Sequence, residues 1–163
     1  MSHDSPVDYG EKLGEYLASK DLWHRFIEFT DPVKTVEQAA QKVPVDQIAK
    51  SIVMIDSVGS PVVAIVPAKV KVSHRKIKAL LNVKDVRLAN REEVLSFSGY
   101  PAGGVPPFSD IKRVLVDKQL LEIETVIVGG GDVDKLVEVK TKDIIATLAP
   151  AVADISEERE KAR

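Results

Sequence analysis

Leu13, Tyr16, Leu17 and Leu22 recur at near-helical spacing, so Asp8 to Lys20 is expected to form an amphipathic helix. From Trp23 to Phe29 apolar and polar residues alternate, the period of a half-buried strand. Thr35 and Gln38 form a capping box, and the helix they open, through Ala39 and Ala40, must end before Pro44. Ser51–Asp56 and Pro61–Val66 are β-branched runs joined by Ser57-Val-Gly-Ser60, which predicts a β-hairpin. Both runs are almost continuously apolar, which places them in the centre of a sheet.

Further on, the pattern predicts a helix over Ser73–Leu81, a strand near Val86 and a helix from Asn90. A second capping box, Asn90 with Glu93, opens that last helix, and Gly99 stands where a left-handed glycine closes it. Strands are expected at Arg113–Val116, Thr125–Val128 and Leu136–Val139. Thr141 is read as the cap of a final helix through Leu148, with Pro150 stopping it and the tail from Ser156 to Arg163 frayed. Strands and helices mix without a regular βαβ period. The pattern therefore describes an α/β (α+β) domain with a mixed or mostly antiparallel sheet and helices packed around it. All 163 residues are read as one domain: an N-terminal helix and strand over 1–30, a core over 31–149 and a tail over 150–163.

Composition narrows the chemistry. The chain is 44% hydrophobic and 29% charged, which suits a cytoplasmic globular protein. The polar start Met-Ser-His-Asp-Ser-Pro has no signal-peptide character, and no apolar run approaches the roughly 18 residues a membrane helix needs. With no cysteine there is no thiolate ligand or Cys nucleophile, and His3, His24 and His74 are scattered. No metal site, cofactor motif or Ser-His-Asp arrangement is expected.

The net charge of −2 conceals an asymmetry. Between Lys69 and Arg91 eight basic residues face one acid, Asp85, whereas the chain up to Lys50 leans acidic. Lys69, Lys71, Arg75, Lys76 and Lys78 are the candidates for contact with nucleic-acid phosphate; a solvated helix face is the plainer alternative.

Gly99-Tyr-Pro-Ala-Gly-Gly-Val-Pro-Pro-Phe108 is the candidate ligand loop. Three glycines and three prolines in ten residues combine permissive backbone with locked φ, which suits amides preorganised for a ligand oxygen. Gly99, Tyr100, Gly104, Val105 and Pro107 are its candidate substrate contacts, with Tyr100 and Phe108 also suited to anchor it by packing. Gly129-Gly-Gly131 lacks dinucleotide-binding spacing, yet the amides of Gly129 and Gly130 suit a pocket wall. Lys50, with Ser51 beside it, stands at a strand mouth where an ammonium either holds an anion or is a solvated edge charge.

The order of these features resembles the YbaK/prolyl-tRNA-synthetase-associated editing family over about Asp31 to Ala149. The carrying segments are Val36-Glu-Gln-Ala-Ala40, Ile48-Ala-Lys50-Ser, Val63-Ala-Ile-Val-Pro67, Gly99 to Phe108 and Val128-Gly-Gly-Gly. The resemblance implies a mixed, barrel-like sheet with flanking helices and an aminoacyl-tRNA deacylase acting in trans. Lys50 matches the family's key lysine, and Gly103 and Pro107 match the ends of its Gly-x-x-x-Pro loop. Its implied partners are mischarged tRNA and, as a second candidate, an aminoacyl-tRNA synthetase. An aminoacyl ester is already activated, so a positioned water, amide donors and a lysine suffice for its hydrolysis. Gly129-Gly-Gly-Asp132 has no histidine, which leaves the rejected amino acid open, and Ser109-Asp110 replaces a glycine after the loop, a departure expected to reshape the pocket rim. A non-catalytic tRNA- or synthetase-binding module of the same fold, and a small-metabolite binder, are the alternatives.

Overall fold

The computed structural model describes residues 7–159. Helix α1 (Tyr9–Ser19) begins where Asp8 accepts from the Glu11 amide and buries Leu13 and Leu17. Strand β1 (His24–Glu28) follows, then α2 (Val36–Ala40), whose Thr35–Gln38 capping box forms as the sequence predicts. After a 3-10 turn at Val45–Gln47 come β2 (Ala49–Asp56), β3 (Pro61–Pro67), β4 (Val70–Val72), α3 (His74–Leu81) and β5 (Val86–Leu88). Helix α4 (Arg91–Ser98) carries the predicted Asn90–Glu93 capping box and closes at Gly99, φ 80°. The chain ends through β6 (Val114–Asp117), β7 (Thr125–Gly129), β8 (Lys135–Lys140), α5 (Thr141–Leu148), β9 (Ala151–Ala153) and β10 (Ser156–Glu158).

The strands form sheets of order β5-β2-β3-β6-β9, β1-β8-β7 and β10-β4. Pairing is mixed and mostly antiparallel; β3–β6 and β6–β9 are the parallel contacts. A parallel bridge between Ile48 and Ile127 joins the five-stranded sheet to β7, curling the two sheets into a barrel-like wall.

Strand β3 explains the unbroken apolar run. Val63 and Ile65 face one core with Leu13, Leu17, Val126 and Val137, while Val62, Ala64 and Val66 face a second with Met54, Ile77 and Ile155. A strand buried on both faces has no polar side to alternate with.

Several expectations are corrected. The tail is not frayed from Ser156: Ser156, Glu157 and Glu158 pair with Val72, Lys71 and Val70, and Ile155 is fully buried. Residues 160–163 lie outside the described residues. Thr141 is not a cap but the first residue of α5; its hydroxyl donates to the Ile123 carbonyl, and Lys140 is the cap position without a side-chain bond. Strands β4 and β9 were not predicted, and β6 starts one residue later than expected.

The hairpin turn is fastened electrostatically. Asp56 accepts from the amides of Val58 (3.0 Å) and Ser60 (2.9 Å), and from the Arg113 guanidinium (2.9 Å). The Ser60 amide, with help from Arg113, holds its carboxyl below the usual carboxylate range. Because the folded pKa is depressed, this contribution is complete above the unfolded value of about 4 and lost as pH falls through the lower folded value. Asp56→Ala is expected to cost about 2 kcal/mol at neutral pH, by orphaning two amides and a guanidinium. It should also flatten the loss of stability between about pH 4 and more acid conditions. Urea melts of both proteins across that range check the expectation, and a variant with wild-type acid sensitivity overturns it.

Candidate functional site

The β2–β5 pairing begins only at Met54, so the first half of β2 has an open edge towards β7. A cavity of about 320 Å³ lies along that edge. Lys50 and Ser51 come from β2, Gly103 and Val105 from the middle of the Gly/Pro loop, Gly129 from the end of β7, and Val36 and Ala39 from α2. Five of the residues singled out in the sequence thus share one cavity, although they are separated by up to roughly eighty positions along the chain.

Lys50 is half-buried, and its Nζ donates to the Val70 carbonyl at 3.0 Å. No ion pair among the described residues engages it. Burial lowers its pKa from the ordinary lysine value, and the charge of Arg159 adds to that. A desolvated cation whose protein partner is a neutral carbonyl has strong reason to accept an anion. Ser51 Oγ is buried and meets no hydrogen-bonding partner among the described residues. An unpaired buried hydroxyl is costly, and it too is an opening for a polar ligand.

The glycines serve two different purposes. Gly103 is exposed with φ 94°, and a Cβ there would meet only Val133 at 3.8 Å, so its requirement is conformational. Gly104 and Gly129 are instead sites of backbone packed on backbone. A Cβ on Gly104 would lie 2.2 Å from the Gly131 carbonyl oxygen, and one on Gly129 would lie 2.3 Å from that of Val105. The Gly131 amide donates to the Gly104 carbonyl at 2.8 Å, locking the two glycine segments together. Asp132 accepts from the amides of Tyr9 and Gly10, which ties this lock to the start of α1.

The other candidates lie elsewhere. Gly130 turns the chain, its amide donating to the Lys135 carbonyl at 3.0 Å. Pro107 is buried within the loop and does not line the cavity. Gly99 closes α4 and its carbonyl accepts from Lys12 Nζ at 3.0 Å. Tyr100 is packed away, its ring 6.1 Å from that of Tyr9 and 4.4 Å from Lys12 Nζ. Phe108 packs with Tyr16 at 5.6 Å. The α2 side chains Val36 and Ala39 were missed as site residues. Their signal was present, since the Ala-Ala helix heads the series that carries the family resemblance.

The basic segment is not a continuous positive face. Lys69 pairs with Asp46, Lys71 with Glu157 at 3.6 Å, and Lys76 with Asp154 at 2.9 Å. Strand β10 and the residues before it deliver two of these acids. Arg75 and Lys78 form no ion pair among the described residues. The exposed Lys69 and Lys71 pairs contribute little and can be exchanged for phosphate, whereas the half-buried Lys76 also donates to the Ser156 carbonyl.

Among the described residues no helix is long and apolar enough to cross a membrane.

The chain belongs to the aminoacyl-tRNA editing domain family, whose model matches residues 30–147. Proline--tRNA ligase of Thermosipho africanus is 34% identical over 109 residues, 65% of this chain and 19% of the ligase. The chain therefore spans about a fifth of the length of the curated ligases it matches. A solved structure described as "a putative trans-editing enzyme for prolyl tRNA synthetase" superposes with TM-score 0.81 at 27% identity, covering 94% of this chain and 99% of that one. A hypothetical protein of known structure gives TM-score 0.81 at 30% identity, with 90% and 99% covered.

Proposed function

We propose that this protein is an aminoacyl-tRNA deacylase that acts in trans, hydrolysing the ester of mischarged tRNA to free amino acid and tRNA in the cytoplasm. The observation that carries the proposal is the half-buried Lys50 ammonium, without a carboxylate partner among the described residues, in one cavity with the Gly103 segment. Membership of the editing-domain family and similarity to the trans-editing structure support the same reading.

In this reading Lys50 fixes a phosphate or ribose oxygen of the tRNA 3′ end. The backbone around Gly103 faces the aminoacyl carbonyl and stabilises the negative charge that develops on its oxygen. Water attacks the carbonyl carbon, the bond to the ribose oxygen breaks, and that oxygen takes up a proton as the tRNA leaves. Orientation and electrostatics supply the rate, because the ester needs no covalent intermediate. Val36, Ala39 and Val105 bound the space for the amino-acid side chain, which favours small residues.

The test is a panel of alanyl-, cysteinyl-, seryl- and threonyl-tRNAs incubated with the protein, with release of free amino acid measured. At least one is expected to be deacylated well above the spontaneous rate. Survival of the whole panel, with salt-sensitive tRNA binding retained, replaces this reading with that of a non-catalytic tRNA-binding module.

A further inference from the structure

A second set of cations is free of the acidic partners that occupy Lys69, Lys71 and Lys76. Lys12 on α1, Lys20 just past its C-terminal end and Lys112 after the Gly/Pro loop surround a cavity of about 370 Å³. None of the ion pairs among the described residues involves these three lysines. One carboxylate, that of the exposed Asp110, shares the rim with them. The cavity is built on the two ends of the loop, Tyr100 and Phe108, whose middle lines the cavity of Lys50.

Its wall is aromatic. Tyr16 is half-buried, packs on Phe108 and has Lys20 Nζ 6.0 Å from its ring centre. Lys12 Nζ sits 4.4 Å from the ring centre of Tyr100. Desolvation, with the charge of Asp110 adding to it, pushes the Tyr100 hydroxyl up to about 12, so it stays protonated as a donor. Cations around an aromatic face are the combination that binds nucleotides, with phosphate on the ammonium groups and a base on the ring.

We propose that the cavity between α1 and the ends of the Gly/Pro loop binds a nucleotide, its phosphate held by Lys12, Lys20 and Lys112 and its base against Tyr16. Two sources share this chemistry: a nucleotide of the tRNA strand whose 3′ end enters the Lys50 cavity, and a free mononucleotide. The first source rests on the proposed deacylase function; the second does not.

The experiment compares the full chain with its Lys20→Gln/Lys112→Gln variant, both changes being on exposed rim positions, after thermal melts establish that each is folded. Binding of AMP, inorganic phosphate and uncharged tRNA is measured over a salt series. AMP should bind the wild type more tightly than phosphate does and lose about tenfold or more in the variant. For a strand-borne nucleotide, tRNA affinity also falls about tenfold, and the salt slope shrinks by up to about 0.7, the share of the one phosphate that the lysines hold. Loss for AMP with unchanged tRNA affinity assigns the site to a free mononucleotide. Unchanged affinity for both overturns the proposal, and so does phosphate binding as tightly as AMP, which removes the base from the site. A wild type that deacylates nothing yet binds AMP sinks the deacylase reading and leaves this one standing.

Discussion

Lys50→Ala is expected to lower kcat/KM for deacylation by about 10²- to 10³-fold, the loss of one charged contact to a phosphate or a developing oxyanion. The Lys50 ammonium lies at the open edge of β2, and a neutral carbonyl, Val70, is the partner it is given. Removing a half-buried cation that has no ion pair among the described residues relieves a desolvation cost, so the variant should melt at or slightly above the wild-type temperature. Lys50→Arg should not rescue activity, because a planar fork does not fit where a compact point charge is held on a carbonyl. Single-turnover deacylation alongside thermal melts separates the two effects. Near-wild-type rates in Lys50→Ala, or a loss of rate that follows loss of folding, would sink the assignment.

Gly129→Ala is expected to cost about 3 kcal/mol, which for a domain of this size lowers the melting temperature by about 10 °C. The added methyl would meet Val105 at its carbonyl oxygen (2.3 Å) and carbon (2.8 Å), and Gly104 at its carbonyl carbon (3.0 Å). All three are backbone atoms, and the neighbouring Gly104–Gly131 contact leaves the loop no room to retreat. Any relief must come from shifting Val105 into the cavity, so deacylation should fall with stability. Gly103→Ala is the internal contrast. It enters open space and bears only the strain of a left-handed residue, about 1–2 kcal/mol. Differential scanning calorimetry of both variants checks the order; equal melting temperatures for Gly129→Ala and wild type would refute the backbone lock.

The contrast between these glycines marks where the sequence stopped being informative. Both segments were visible as glycine-rich, and both were read as pocket walls. That Gly103 is there for its φ angle while Gly104 and Gly129 are there for backbone-on-backbone contact between distant loops depends on how the loops meet. The basic segment teaches the same lesson. Its lysines were countable, but Asp46, Asp154 and Glu157, which engage three of them, come from other parts of the chain. The loop sequence leaves Tyr100 open to ligand contact or to anchoring by packing, and the fold sets its ring against Tyr9 and Lys12.

By itself the sequence determined what local physics controls: the helix of Asp8 to Lys20, the two capping boxes, the left-handed Gly99, and the central hairpin with its unbroken apolar strands. Each depends on residues within a few positions of one another, whose spacing already expresses the interaction. The order of its motifs also determined the family, and with it the interest in Lys50 and Gly103. Only the tertiary structure decided the rest. Strands β4, β9 and β10 are three-residue segments whose hydrogen bonds go to partners far along the chain, so no local pattern announces them. The open edge of β2, the burial of Lys50 and a Ser51 hydroxyl without a partner among the described residues likewise arise only when β7, the Gly/Pro loop and α2 close around one strand end. A cavity is a property of surfaces that meet, and its chemistry becomes definite only where they do.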